Sequence, residues 1–162
     1  LDLGSGRKMI LISHRGNIDG KDPKRENSPL QISTAILLGF DVEVDFRGHK
    51  GKVYLGHDEP QYKITNNFIN KFRDNLWVHC KDRYALEYAM DHDLNFFYHS
   101  KDDYTITSKG YLWAYPGVEE AGNKTICVLP ELFFGIKDLK NRKFIGYCSD
   151  NIVQVRNELN NV

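Results

Sequence analysis

The stretch Phe40-Asp41-Val42-Glu43-Val44-Asp45-Phe46 alternates apolar and acidic side chains with a period of two. Successive side chains of an extended strand point to opposite faces, so Asp41, Glu43 and Asp45 share one face while Val42, Val44 and Phe46 share the other. Carboxylates two positions apart project in parallel from Cα atoms about 7 Å apart, and two of them can converge on one hard cation. Without a cation they repel. An edge strand with a solvated polar face carries the same pattern; what separates the two readings is the rest of the chain. His14-Arg15-Gly16 follows directly on the apolar run Met9 to Ser13, and His57-Asp58 follows Val53-Tyr54-Leu55-Gly56, twelve residues after Asp45. The planar fork of Arg15 suits a phosphate, to which it can donate two parallel charge-assisted bonds. Two imidazoles that titrate near neutrality form an acid/base pair able to cleave a phosphodiester. Gly56 permits a sharp backbone approach beside the second of them.

These groups need a scaffold that gathers strand ends. Seven apolar runs read as strands: Met9 to Ser13, Phe40 to Phe46, Leu76 to Lys81, Asn95 to Ser100, Tyr111 to Tyr115, Thr125 to Leu129 and Phe144 to Cys148, with an extra ribbon at Lys52 to Leu55. Between them, Ser28-Pro29 caps a helix over Leu30 to Leu38 that Gly39 closes, Asp82 caps one over about Arg83 to Met90, and Ile152, Val155 and Leu159 mark a last one. Strands alternating with helices predict an α/β fold of the TIM type, a β/α barrel with its active site at the C-terminal strand ends. At 162 residues the chain falls below the roughly 200 at which complete barrels begin, so the expected fold is a shortened or incomplete TIM-type barrel, one domain over 1–162, with about seven strands and several abridged helices. Apolar strand faces left uncovered by such a barrel would be hidden in a homodimer.

In a barrel the same rim receives His99 after Phe96-Phe97-Tyr98, Glu131 after Leu129-Pro130, and Asp150 after Tyr147-Cys148-Ser149. His99 and Glu131 enter the candidate site as substrate-binding residues, with loop capping as their alternative. Asp150 precedes the last helix and reads as its N-cap. Trp113 and Tyr115 share a strand face, where core packing is favoured over stacking on a ligand.

Equal numbers of basic and acidic side chains, 22 each, give a formal charge of zero and a pI near 7.2, which removes any bulk electrostatic case for nucleic acid or an anionic membrane. The apolar runs are far shorter than the roughly 20 residues that span a bilayer. The opening segment has no secretory pattern, and three cysteines in apolar surroundings read as reduced thiols, so a cytoplasmic location is expected. Gly-rich phosphate loops, nucleophile elbows and paired-cysteine zinc spacings are absent.

Taken in order, His14-Arg15-Gly16, Glu26-Asn27, Ala35 and Gly39 leading into Glu43-Val44-Asp45, and Gly56-His57-Asp58 resemble the glycerophosphodiester phosphodiesterase family over roughly the first 60 residues. That family consists of metal-dependent phosphodiesterases on a β/α barrel, related in fold to phosphatidylinositol-specific phospholipases C. The resemblance implies that His14 and His57 are the acid/base pair, Arg15 a phosphate ligand, Glu43 and Asp45 metal ligands, and Glu26 an active-site residue that either adds a ligand to the metal or orients the residues that hold it. It further implies one divalent ion, Mg or Ca, with Mn as a further option, and a small phosphodiester substrate, glycerol- or sugar-linked. The family places Glu-X-Lys on the third strand; here the stretch is His79-Cys80-Lys81. The resemblance implies a phosphate contact for Lys81; His79, in phase with it, stands where the third acidic ligand would be, as a metal ligand less suited to Ca or Mg than a carboxylate, with phosphate contact or loss of the third ligand as alternatives. The rival functions are a catalytically degenerate phosphate-binding module and a metal-independent phospholipase C-like lyase.

Overall fold

The computed structural model describes residues 8–114 and 122–160. In chain order the elements are β1 (Ile10–His14), α1 (Pro29–Leu37), β2 (Asp41–His49), β3 (Lys52–Leu55), β4 (Tyr62–Lys63), α2 (Asn66–Phe72), β5 (Leu76–Cys80), α3 (Arg83–Asp91), β6 (Asn95–Phe97), β7 (Tyr104–Ile106), β8 (Leu112–Ala114), β9 (Thr125–Val128), β10 (Gly146–Ser149) and α4 (Ile152–Asn160). Parallel ladders join β6 to β5, β5 to β2, β2 to β1, β1 to β10, β10 to β9 and β9 to β8. The first strand therefore neighbours both the second and the last, and the sheet curls into an incomplete barrel. β7 adds antiparallel to β8, and the hairpin β3-β4 branches from the far end of β2. Where β6 and β7 end the ladder, Ser108 bridges: its N–H donates to the Phe96 carbonyl at 2.8 Å and its Oγ accepts from the Phe96 N–H at 3.0 Å.

The period-two patterning sorts side chains between the two sides of this sheet. Val42, Val44, Phe46, Leu76, Val78 and Cys80 pack against Ile32 and Ala35 of α1, Ile69 of α2, and Ala85 and Ala89 of α3. Tyr147 meets Ile152, Val155 and Leu159 of α4. The opposite side is filled by Ile12, Trp77, Phe97, Trp113, Ile126, Val128 and Cys148. Trp113 stacks on Phe97 with centroids 4.6 Å apart, so it is a core residue; its predicted companion Tyr115 lies outside the described residues.

The expected caps are present. Ser28 Oγ accepts from the Gln31 N–H, Pro29 opens α1, and Gly39, at φ +87°, ends it with an N–H donated to the Ile36 carbonyl. Asp82 accepts from the Ala85 N–H with one oxygen and from the Gly48 N–H with the other, tying α3 to the end of β2. The second half is abridged: β6 is followed by a short strand, and between β9 and β10 there are only 3-10 turns over Pro130–Leu132 and Ile136–Asn141. Among the described residues no helix is long and apolar enough to cross a membrane.

Cys80, Cys127 and Cys148 are free and buried. Burial pushes the first two thiols up to about 12 and the third well above its ordinary value. Since the thiolate is the reactive form, all three are expected to resist alkylation at neutral pH in the folded protein and to label fully in denaturant. Rapid labelling of any one in the native state would contradict this packing.

Candidate active site

At the end of β1 the chain turns sharply: Arg15 has φ +52° and Gly16 φ +82°, and the Asn17 N–H donates back to the His14 carbonyl at 2.9 Å. A left-handed non-glycine residue costs on the order of 1–3 kcal/mol, and the contacts it gains explain the conformation. The Arg15 N–H reaches Glu43 Oε2 at 3.2 Å, while its guanidinium lies between Glu26 Oε2 at 3.1 Å and Asp45 Oδ2 at 3.0 Å. On the neighbouring residue, His14 Nδ1 sits 2.7 Å from Asp150 Oδ1 and Nε2 sits 3.8 Å from Glu43 Oε2. Burial opposes protonation of His14, but the bond to Asp150 and the field of Glu43 outweigh it and raise its pKa.

Asp150 is therefore not the cap predicted for it. The last helix begins at Ile152, and Asp150 Oδ1 instead accepts from His14 and, at 2.8 Å, from Asn17 Nδ2. Burial works against its ionisation, and the His14 bond lowers its pKa regardless. Asn17 also donates to Glu26 Oε1 at 3.1 Å, so one amide ties together the supports of His14 and Arg15.

On β2 and β5 the register pairs Asp45 with His79. One ligand atom each from Glu43, Asp45 and His79 lies within 4.8 Å of the others. His79 Nδ1 is 3.3 Å from Asp45 Oδ1 and 3.8 Å from Glu43 Oε1. Asn27, held at φ +60°, donates from Nδ2 to Asp45 Oδ2 and accepts the Asp45 N–H, both at 2.9 Å. Asp45 Oδ1 is buried and makes no hydrogen bond, as a carboxylate oxygen kept for a cation would be. Lys81 Nζ approaches it to 3.8 Å. Burial and the adjacent Asp45 charge raise the Glu43 carboxyl. For Asp45 burial acts in the same sense, but the facing His79 ring and the Arg15 guanidinium hold it well below the usual carboxylate range.

The loop after β3 brings in His57. Gly56 has φ +152°, its N–H donates to the Asp45 carbonyl at 3.1 Å, and a Cβ there would stand 2.0 Å from the Glu59 carbonyl oxygen. His57 Nδ1 is 2.8 Å from Asp58 Oδ1, and the side chain keeps 38% of its surface exposed. Burial and the charges of Arg15 and Lys81 lower its pKa, with Asp45 and Asp58 offsetting only part. Arg47 fixes this loop from β2: its Nε donates to the His57 carbonyl at 2.9 Å, and Nη2 donates to the same oxygen. Arg47→Ala is expected to free this loop and displace the His57 ring, read as faster amide exchange over residues 56–59 and shifted His57 ring resonances. Unchanged exchange and resonances would show that Arg47 does not hold His57 in place.

Seven of the ten residues singled out in sequence, His14, Arg15, Glu43, His57, His79, Lys81 and His99, line one cavity of about 210 Å³, with Trp113, Val128 and Leu129 as apolar wall. Asp45 is fully buried against Arg15, His79 and Lys81. The main-chain carbonyl of His99 faces His79 Nε2 at 3.2 Å. Two residues stand back from the cavity. Glu26 bonds Arg15 and Asn17 with its two oxygens, outside the three-ligand cluster. Glu131 takes the Ser149 hydroxyl and the Asp150 N–H, so it supports the residue that supports His14. Asn17 and Arg47 join the site as residues that the sequence reading passed over, and Asp150 joins it as the partner of His14 in place of the helix cap expected of it. Comparison of the chain with protein-family models, curated proteins and solved structures finds no match.

Proposed function

We propose that this chain is a metal-dependent phosphodiesterase of the glycerophosphodiester phosphodiesterase type, built on a shortened TIM-type barrel and acting on a small glycerol- or sugar-linked phosphodiester. The supporting observation is the meeting of His14 and His57, far apart in sequence, with Arg15 and Lys81 around one cavity whose wall carries Glu43. Binding alone needs no second imidazole; proton transfer to and from two different oxygens does.

In this reading Glu43, Asp45 and His79 hold a divalent cation that, when bound, supplies positive charge to the phosphate oxygens and to the attacking hydroxyl or water. Arg15 and Lys81 bind the remaining phosphate charge, and the apolar wall of Trp113, Val128 and Leu129 keeps water from the reacting side. His14 is the base. The Asp150 carboxylate can only accept, so it holds the imidazole hydrogen on Nδ1 and leaves the Nε2 lone pair facing the cavity. Glu43, whose charge helps keep His14 protonated, would lose much of that effect once committed to the ion. His57, at the exposed edge, protonates the leaving oxygen and is recharged from solvent; with its pKa lowered and that of His14 raised, this arrangement is the minor of the two singly protonated forms, and only that fraction turns over. One imidazole must start neutral and the other protonated, so kcat/KM follows a bell-shaped pH profile. A substrate hydroxyl beside the phosphate would attack first and release a cyclic product.

The ion pairs of Arg15 and Lys81 with Asp45 favour a second reading, in which the side-chain cations replace the metal and the chain is a metal-independent lyase. Turnover of a chromogenic phosphodiester and of glycerophosphodiesters, in chelator and with Mg, Ca or Mn, separates the possibilities. The proposal expects activity that chelator abolishes and a metal restores. Activity that survives both chelator and Glu43→Ala overturns it in favour of the lyase. Phosphate binding without turnover under any metal overturns it in favour of a binding module.

A further inference from the structure

Resting on the metal-dependent reading above, the geometry points to a d-block cation, of the Mn, Co or Zn class, in place of Mg or Ca, with His79 Nδ1 as the ligand atom that selects it. His79 is held in place from two sides before any ion arrives. Its ring stacks on Phe97 with centroids 4.9 Å apart and planes 19° from parallel. Its Nε2 faces the His99 main-chain carbonyl at 3.2 Å, and a carbonyl can only accept, so Nε2 carries hydrogen. A histidine that ligates a metal through one nitrogen and donates its other N–H to a carbonyl has the outer-shell support usual for such ligands.

Nδ1 then faces Asp45 Oδ1 and Glu43 Oε1 at 3.3 and 3.8 Å. The nearer oxygen is buried and unbonded, so the pair is not an aligned hydrogen bond. A cation placed among the three satisfies all of them and takes the place of any proton on Nδ1. The existing side-chain cations do not fill this position completely. Arg15 and Lys81 pair with Asp45, whereas among the described residues Glu43 has ion-pair contacts only with the imidazoles of His14 and His79. The donor set is two carboxylates and one imidazole nitrogen. Mg and Ca favour oxygen-only surroundings; an imidazole ligand suits Zn and its first-row neighbours, and Mn, which also accepts oxygen ligands, stands lowest in the d-block affinity order.

The test uses the full chain, stripped with chelator and titrated calorimetrically with Mg, Ca, Mn, Co and Zn salts, beside His79→Glu and His79→Gln. Circular dichroism reports whether each variant folds. Wild type is expected to prefer Mn, Co and Zn over Mg and Ca by at least about tenfold, the smallest effect that even outer-shell partners have on metal affinity. His79→Glu should erase that preference, and His79→Gln should weaken d-block binding. Pulsed EPR of the Mn-loaded protein should show coupling to an imidazole nitrogen that disappears in His79→Glu. Equal or tighter binding of Mg or Ca overturns this inference and leaves the phosphodiesterase reading standing. A d-block preference or nitrogen coupling that persists in His79→Glu removes His79 from the role. No divalent binding at all overturns the inference, and turnover in chelator would then take the metal-dependent reading with it.

Discussion

His14→Gln is expected to lower kcat by about 10²- to 10⁴-fold, the range that a positioned general base contributes, with KM for the phosphodiester changed little. Glutamine keeps a polar group near Asp150 but has no lone pair able to take up a proton at neutral pH. Asp150→Asn should act in the same direction for a different reason. An amide can donate as well as accept, so the imidazole is free to place its hydrogen on Nε2, where no base is then available. The double variant should lose little beyond His14→Gln alone, because groups that act as a unit are strongly non-additive. Steady-state kinetics on the four proteins check this. Full additivity would show that Asp150 and His14 act separately and that the 2.7 Å contact between them has no part in catalysis.

The chemistry was legible wherever it followed strand periodicity. The alternation Asp41, Glu43, Asp45 put two carboxylates on the cavity side of β2, and His79 on β5 and Lys81 just past its end followed by the same rule. Arg47 continues that phase and was readable in principle, but its target is a main-chain carbonyl ten residues on, which carries no side-chain signature. Asp150 was misread because its chain neighbour is a helix start while its partner His14 lies 136 residues away. Local patterns rank the near explanation first. Among the elements, all seven expected strands are present, since alternating or continuous apolar runs bounded by polar turns are a strong signal. α2 was passed over: Thr65 does cap it, but it is seven residues long and opens on Asn66-Asn67, which have poor helix propensity. It stands because Ile69 and Phe72 are buried in the same cluster as β2 and β5. β7 was missed because its three residues alternate exposed, half-buried and exposed at an edge, with Ser108 and the antiparallel partner β8 holding it.

Asp45→Asn separates charge from shape in the same site. The substitution is nearly isosteric, and Asn27 can keep both its bonds, donating to the remaining carbonyl oxygen and accepting the main-chain N–H. Arg15 keeps Glu26. Folding should therefore survive, while the cluster loses the one carboxylate that its surroundings hold ionised most strongly. Divalent affinity and turnover are expected to fall together, kcat/KM by about 10³-fold, corresponding to roughly 4 kcal/mol of lost charge stabilisation in the transition state. Excess metal should restore part of the rate, since Glu43 and His79 remain as ligands. The alternative in which Arg15 and Lys81 do the work of the ion expects no response to metal: with Asp45 neutralised, both cations are freed for phosphate, and the variant's residual rate would not depend on added ion. Kinetics of Asp45→Asn across a metal titration, with a thermal melt to confirm folding, decide between a carboxylate that holds a cation and one that only orders two basic side chains.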